Sequence, residues 1–449
     1  MTPELETLRR DFAGDIIVPG GAGYEAASRT RLVAGSPAVV LRPSTVGDVQ
    51  AAVRFAAGAG VPLAVRGGGH SFPGFGTNDG GTVIDLGTFA DVELVDEDRR
   101  LVRIGGGATW GRVADVLAPH GLAISSGDTR SVGVGGLTLS GGIGWMVRKH
   151  GLTLDNLVAV ELVTADGSVV TASAQEHPEL FWAVRGGGGN LGIVTAFELV
   201  AHATTEIFFG KITFPAAEAA AVLQGWADHL RTAPEELTSL VNLANPFAGG
   251  HAAPVELHVA FDGDDADLAA RAVDPLRRLG TVLEDDVAPR AYADVLVDGG
   301  ELPPGLRLVG HDGFVDRESA PEALQILAEV GTSPGSPSIA VRSLGGAVSR
   351  VADDATAYAH RRAELLVATI VGGPQPVVEA ARPGLDALWD KLAPHLSGAY
   401  ANFLGSTTDE DVAAVYPART SARLAAVKRQ YDPNNLFAAN HNVRPEIAE

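Results

Sequence analysis

The chain has no cysteine among its 449 residues. Disulfides, thiolate metal sites, iron–sulfur clusters and a cysteine nucleophile are therefore excluded. Long apolar runs are missing too, and none approaches the roughly 18 residues that a membrane span requires. Positive charge is scarce: 34 Lys and Arg stand against 55 Asp and Glu, for a net charge of −21. That balance argues against nucleic acid or an anionic membrane as partner and favours solubility. Residues 1–10 contain no apolar leader segment, which leads to the expectation of a cytoplasmic protein.

Glycine, by contrast, is abundant at 55 residues, and much of it is clustered. The run Val61-Pro62-Leu63-Ala64-Val65 reads as a buried strand and leads into Arg66-Gly67-Gly68-Gly69-His70-Ser71. Three glycines let the backbone turn tightly and bring its N–H groups close to a phosphate. Further clusters occupy 105–107, 126–144 and 186–192. None fits G-x-x-x-x-G-K-[ST], so a Walker-type site is excluded. Gly133-x-Gly135-x-x-Thr138 lacks the third glycine and the acidic follower of a Rossmann fingerprint. Several glycine loops from one half of the chain suit an extended dinucleotide in close backbone contact.

The ordered set of motifs resembles the FAD-linked oxidases of the vanillyl-alcohol-oxidase and berberine-bridge-enzyme type. It comprises the loop 66–71, the block 132–144, the segment Gly151 to Asn156, the run Glu179 to Val194, and the tail Tyr431 to Asn442. The resemblance spans nearly the whole chain. It implies an α+β fold: a PCMH-type FAD-binding domain of two α/β subdomains, plus a substrate domain with an antiparallel sheet backed by helices. The expected division is 1–204 for the main part of the FAD domain, 205–405 for the substrate domain and 406–449 for the return to the FAD domain.

Local patterns give several elements directly. A helix is expected over 46–57, capped by Ser44 or Thr45 and stopped by Gly58 and Gly60. Residues 83–86 read as a strand and 109–118 as a helix. The strands 161–164 and 168–171 flank Ala165-Asp166-Gly167, a hairpin signal. Beyond about 205, strands at 255–261, 339–342 and 364–370 alternate with Ala-rich helices such as 216–230. A last helix is expected over 420–430.

The resemblance also implies roles. His70 corresponds to the residue that bonds covalently to the 8-methyl carbon of the flavin. Arg66 and the N–H groups of Gly67, Gly68 and Gly69 would hold the pyrophosphate. The other implied cofactor contacts are Ser71, Gly76, Gly127, Asp128, Gly133, Gly135, Gly136, Leu137, Thr138, Gly141, Gly142, Gly144 and Asn440. Gly192, Ile193 and Val194 would lie beside the adenine and ribose. Asn156 and Asn442 are either structural or flavin-contacting. Some relatives carry a second link through a cysteine where this chain has Thr129, so only a single link is available here. Val132 falls where relatives gate oxygen, and a small side chain there points to an oxidase. Leu137 replaces a histidine of plant relatives, leaving backbone N–H groups around 135–138 to stabilise the reduced flavin.

Tyr400 and Asn402 match an element facing the flavin across the substrate cavity. Tyr400 could assist deprotonation of a substrate O–H or N–H, provided a positive group lowers its pKa from near 10. Arg307, His311, Arg342, Tyr358 and His360 are weaker candidates for the cavity wall. His251 and His258 lack the partners of a metal site. The implied activity is removal of hydride from a carbon bearing N or O of a small molecule, with dioxygen as acceptor. The alternatives are an oxygenase using a flavin N5-oxide and a dehydrogenase with another acceptor. No interface stripe indicates an oligomeric state.

Overall fold

The computed structural model describes residues 3–243, 253–299, 306–333 and 336–446. The first sheet starts with Asp15–Ile17 antiparallel to Val39–Arg42. Thr82–Asp85 and Leu63–Arg66 then add in parallel. The helix Val46–Ala59 makes the crossover and buries Val49, Ala52, Val53 and Ala56 at helical spacing. Thr45 caps it reciprocally with Asp48, and Gly60 ends it in a left-handed conformation with φ 63°. The expected stop at Gly58 is overrun, since glycine is tolerated inside a helix whose buried face continues.

The second sheet is antiparallel, in the order Val92–Asp96, Leu101–Gly105, Ile193–Val200, Leu157–Val163 and Val169–Ser173. The last two strands form the expected hairpin, and Gly167 turns it at φ 81°. Asp166 fixes that turn by accepting from the Thr164 hydroxyl and the Ser168 N–H. Strong turn chemistry made this pair readable from sequence.

A larger sheet of eight antiparallel strands ends in Leu306–Val315, beside Leu365–Pro374, and at its other side Glu206–Phe214 pairs with the short strands Glu284–Asp285 and Ala288–Ala291. The helices Ala219–Leu230, Ala266–Arg277, Ala320–Gly331 and Gln375–Leu392 back it. One face packs on these helices through Phe214, Trp226, Val341 and Val367. The other face meets the glycine-rich half, where Phe314 and Leu366 join Ile143, Val147 and Tyr400. The expected strands at 255–261 and 339–342 are present, the second lengthened to Ser338–Ser343. Residues 216–218 form a 3-10 turn ahead of the expected helix.

The helix Ala418–Tyr431 packs back on Pro178–Val184, with the Arg423 guanidinium over the Trp182 ring at 3.9 Å. Lys428 is fully buried, donating to the carbonyls of Phe437 at 2.8 Å and Asn190 at 3.0 Å and pairing with Asp432 at 3.2 Å. Such a charge is tolerable in the interior only because its donors are satisfied. It ties the tail to the loop at 186–192. Among the described residues no helix is long and apolar enough to cross a membrane.

Candidate cofactor and active site

The strand Leu63–Arg66 delivers its chain into a loop whose ring-bearing residue is His70. No hydrogen bond joins the N–H of Gly67, Gly68, Gly69, His70 or Ser71 to another described residue. Five consecutive free amides form a cradle for an anion. Gly68 faces Gly133 at such short range that a Cβ on either would lie 2.3 Å from the backbone nitrogen of the other. The two glycine loops therefore interlock through their main chains.

They border a cavity of about 380 Å³. Of the residues expected from sequence, Arg66 to Ser71, Gly76, Gly127, Asp128, Val132, Gly133, Gly135, Gly136 and Leu137 line it. So do Gly192, Ile193, Val194, Asn440, Tyr400 and Asn402. The His70 Nε2 lies 3.0 Å from the Ser131 hydroxyl. Burial, helped by the Arg31 charge and opposed by a bond to Ser131, pulls the His70 pKa down to about 4. Its imidazole is therefore neutral at physiological pH, as a nitrogen nucleophile must be.

Tyr400 enters from the opposite side. Its buried hydroxyl oxygen accepts from the Gly142 N–H and from the Asn402 amide, both at 2.9 Å. Its backbone N–H donates to Asp312 at 2.5 Å. Arg342 is the nearby positive group that the sequence reading required, yet burial outweighs it and raises the Tyr400 pKa above the usual value. Arg342 pairs with Asp128 at 2.6 Å and lies over the Phe403 ring at 5.4 Å.

Several expected residues are placed elsewhere. The Arg66 guanidinium turns away from the cradle to Asp85 at 2.8 Å and to the carbonyls of Ala27, Arg29 and Gly76. Its charge is already matched by the buried Asp85 carboxylate. Asn156 donates to the carbonyls of His150 and Leu152 and accepts from His202, which makes it a structural link. Asn442 likewise accepts from Lys428. Thr138, Gly141, Gly142 and Gly144 lie behind the cavity wall. Gly144 has a packing reason, because a Cβ there would meet the Ser126 carbonyl at 1.8 Å.

Among the weaker candidates Arg342 and Tyr358 reach residues of the cavity wall, Arg342 over Phe403 and Tyr358 in the cluster of Ile143 and Tyr400. Arg307 is exposed, His311 lies tilted beside the Trp389 ring, and His360 bonds the Val415 carbonyl. Tyr358 is buried with no partner for its hydroxyl. His258 contacts Asn242 and Glu256, while His251 lies outside the described residues. Sequence reasoning missed Ser131 and Arg31 beside His70, and Tyr416 and His441 in the cavity wall. Ser131 stood inside a glycine block already singled out. His441 stood inside the tail motif between Asn440 and Asn442, and Arg31 and Tyr416 carry no local signal.

An FAD molecule fits what is present. The amide cradle is unpaired, Gly136 in the cavity wall has nothing within 4 Å of where a Cβ would stand, and the buried Asn440 Oδ1 beside the cavity has no hydrogen-bond partner. Comparison with known proteins agrees. Residues 37–173 match the FAD binding domain family, and residues 399–444 match the berberine and berberine-like family. (R)-6-hydroxynicotine oxidase of Paenarthrobacter nicotinovorans is 33% identical over 96% of this chain and 97% of its own length.

This chain belongs to the berberine-like FAD-linked oxidases.

The crystal structure of 6-hydroxy-D-nicotine oxidase from Arthrobacter nicotinovorans superposes with a TM-score of 0.86 at 31% identity, covering 97% of this chain and 99% of that one. Glucooligosaccharide oxidase from Acremonium strictum, described with a 6-S-cysteinyl, 8α-N1-histidyl FAD, superposes at 0.86 with 25% identity and covers all of both chains. The mixed α/β architecture, with its antiparallel sheets and helices, is that of this family of FAD oxidases.

Proposed function

We propose that this enzyme holds FAD through a single covalent bond to His70 and oxidises a small organic molecule at a carbon bearing N or O, with dioxygen as acceptor and hydrogen peroxide as product. The observation that carries the reading is a neutral His70 at the end of a free amide cradle, in a cavity roofed by Tyr400 and Asn402. FAD supplies the hydride acceptor and the electron transfer to oxygen. The amides of 67–71 bind the pyrophosphate. Asn440 offers its unpartnered oxygen to a donor on the cofactor.

Tyr400 is a protonated phenol at neutral pH, since burial raises its pKa. With two donors on its oxygen, it has its own proton to give to a substrate heteroatom, and that hydrogen bond orients the substrate. Removal of a substrate proton becomes possible as Arg342 and the two donors share the negative charge. Val132, half-buried in the cavity wall, leaves room for oxygen. The named relatives act on a hydroxynicotine and on oligosaccharides, so both an amine and a sugar alcohol belong in the substrate class tested. The experiment is peroxide release from the FAD-loaded enzyme across panels of hydroxylated cyclic amines and oligosaccharides. Flavin bleaching without peroxide on readmission of air would replace the oxidase with a dehydrogenase.

A further inference from the structure

We propose that residues 297–299 form a strap that holds the His70 ring for flavin attachment, with Ser131 and Gly299 as its positioning residues. The proposal rests on the attachment reading above. The strap comes from the half of the chain that builds the large sheet and crosses onto the glycine loop. The Val297 N–H donates to the Asp128 carbonyl at 2.8 Å, and the Arg130 N–H donates to the Val297 carbonyl at 2.9 Å. Thr129 and Val297 thus form an isolated parallel bridge. Arg130 fastens the approach to the strap by donating to the Ala293 carbonyl at 2.9 Å.

The end of the strap meets the histidine. The Gly299 carbonyl accepts from the Arg31 guanidinium at 3.1 Å and from the Ser131 hydroxyl at 3.5 Å. Ser131 is in turn 3.0 Å from His70 Nε2. With its proton directed at Gly299, the hydroxyl oxygen is left to accept from Nε2–H. The lone pair then belongs to Nδ1, the ring nitrogen left free to form the bond. Space at Gly299 is already used up: a Cβ there would lie 2.8 Å from the Thr129 methyl and 2.9 Å from the Ser131 hydroxyl. Burial of apolar surface does not explain the strap, because Val297 is 56% exposed. Its hydrogen bonds run to Asp128, Arg130, Ser131 and Arg31, and Ser131 carries them to His70.

Attachment joins a His70 ring nitrogen to the 8-methyl carbon of the flavin. One proton leaves that methyl group, one leaves the imidazole, and dioxygen takes the electron pair and both protons as hydrogen peroxide. The strap contributes a fixed ring orientation and, in Ser131, a hydroxyl oxygen that accepts the Nε2–H hydrogen bond and so leaves Nδ1 to form the new bond.

The test loads apoprotein with FAD and follows the acid-stable flavin by intact mass, with total bound flavin measured before acid. Ser131→Ala and Gly299→Ala should bind wild-type amounts of flavin but attach it about fivefold more slowly, the factor carried by one ordinary hydrogen bond. Ser131→Thr, which keeps the hydroxyl, should recover the rate. Unchanged attachment rates in both alanine variants would overturn the strap while leaving His70 as the attachment site. Loss of total flavin in step with attachment would also overturn it, by assigning these residues to binding or folding. Wild-type protein with bound but wholly acid-extractable flavin would overturn the attachment reading and the strap together.

Discussion

The two walls of the cavity are built on opposite plans. The cofactor wall is main chain: free amides at 67–71 and the facing glycines Gly68 and Gly133, with few side chains between them. The roof is side chain: Tyr400, Asn402 and Phe403, braced by Arg342 and Asp312 from strands of the large sheet. A main-chain wall recognises what every member of a cofactor class shares, its phosphates and ring edges. A side-chain roof can be rebuilt one residue at a time without disturbing the cradle. Under the proposed function, the difference assigns cofactor recognition to one wall and substrate choice to the other.

Gly133→Ala attacks the main-chain wall and should have the largest effect. Its Cβ would meet the Gly68 backbone, which has no flexible end to move aside, at an expected cost of about 3 kcal/mol or more. Flavin content after purification and the unfolding midpoint should both fall. An alanine variant with full flavin would show that the loops can part, and the contrast between the walls would weaken. Tyr400→Phe attacks the roof. It should lower kcat about a hundredfold while flavin content stays at the wild-type level. A KM effect alone would reduce the phenol to a binding contact.

The cradle and the roof also explain which parts were readable beforehand. Glycine loops leave a trace because close backbone approach admits little else, so the cavity floor could be named by residue. The hairpin at Asp166-Gly167 and the capped helix at Thr45 announced themselves through local turn and cap chemistry. The pairing of Arg66 with Asp85 was not legible, because a sequence shows a charge but not its partner, and Asp85 lies on another strand. The long strand Leu306–Val315 and the helix Gln375–Leu392 went unread: two glycines interrupt the first, and Pro383 sits inside the second. The roof was only partly legible for a deeper reason. Arg342, Asp312 and Tyr400 meet through strand pairings that no local pattern encodes.

Acid should expose a smaller contrast. His70 at the cavity and His202 at the junction beside Asp262 both have pKa values lowered to about 4, burial being the first cause in each. Both are neutral in the folded state, so the folded form binds fewer protons than the unfolded chain between pH 4 and 6.5. Stability is therefore full above about pH 6.5 and is lost as the pH falls toward 4. The thermal midpoint should decline across that window, and His202→Gln should flatten the decline. A midpoint flat from pH 7 to 4.5 would contradict the burial assigned to these rings. Val132→Leu should have the smallest effect. It is expected to slow reoxidation by oxygen severalfold and leave anaerobic reduction unchanged, as stopped-flow absorbance would record.

The most direct test of the account is the state of the flavin after acid precipitation, compared between wild type and His70→Ala. The account predicts a yellow wild-type precipitate whose intact mass exceeds that of the chain by one FAD, and a colourless His70→Ala precipitate with all its flavin in the supernatant. Acid-stable flavin on His70→Ala, or none on a wild-type protein that purifies yellow, would contradict it.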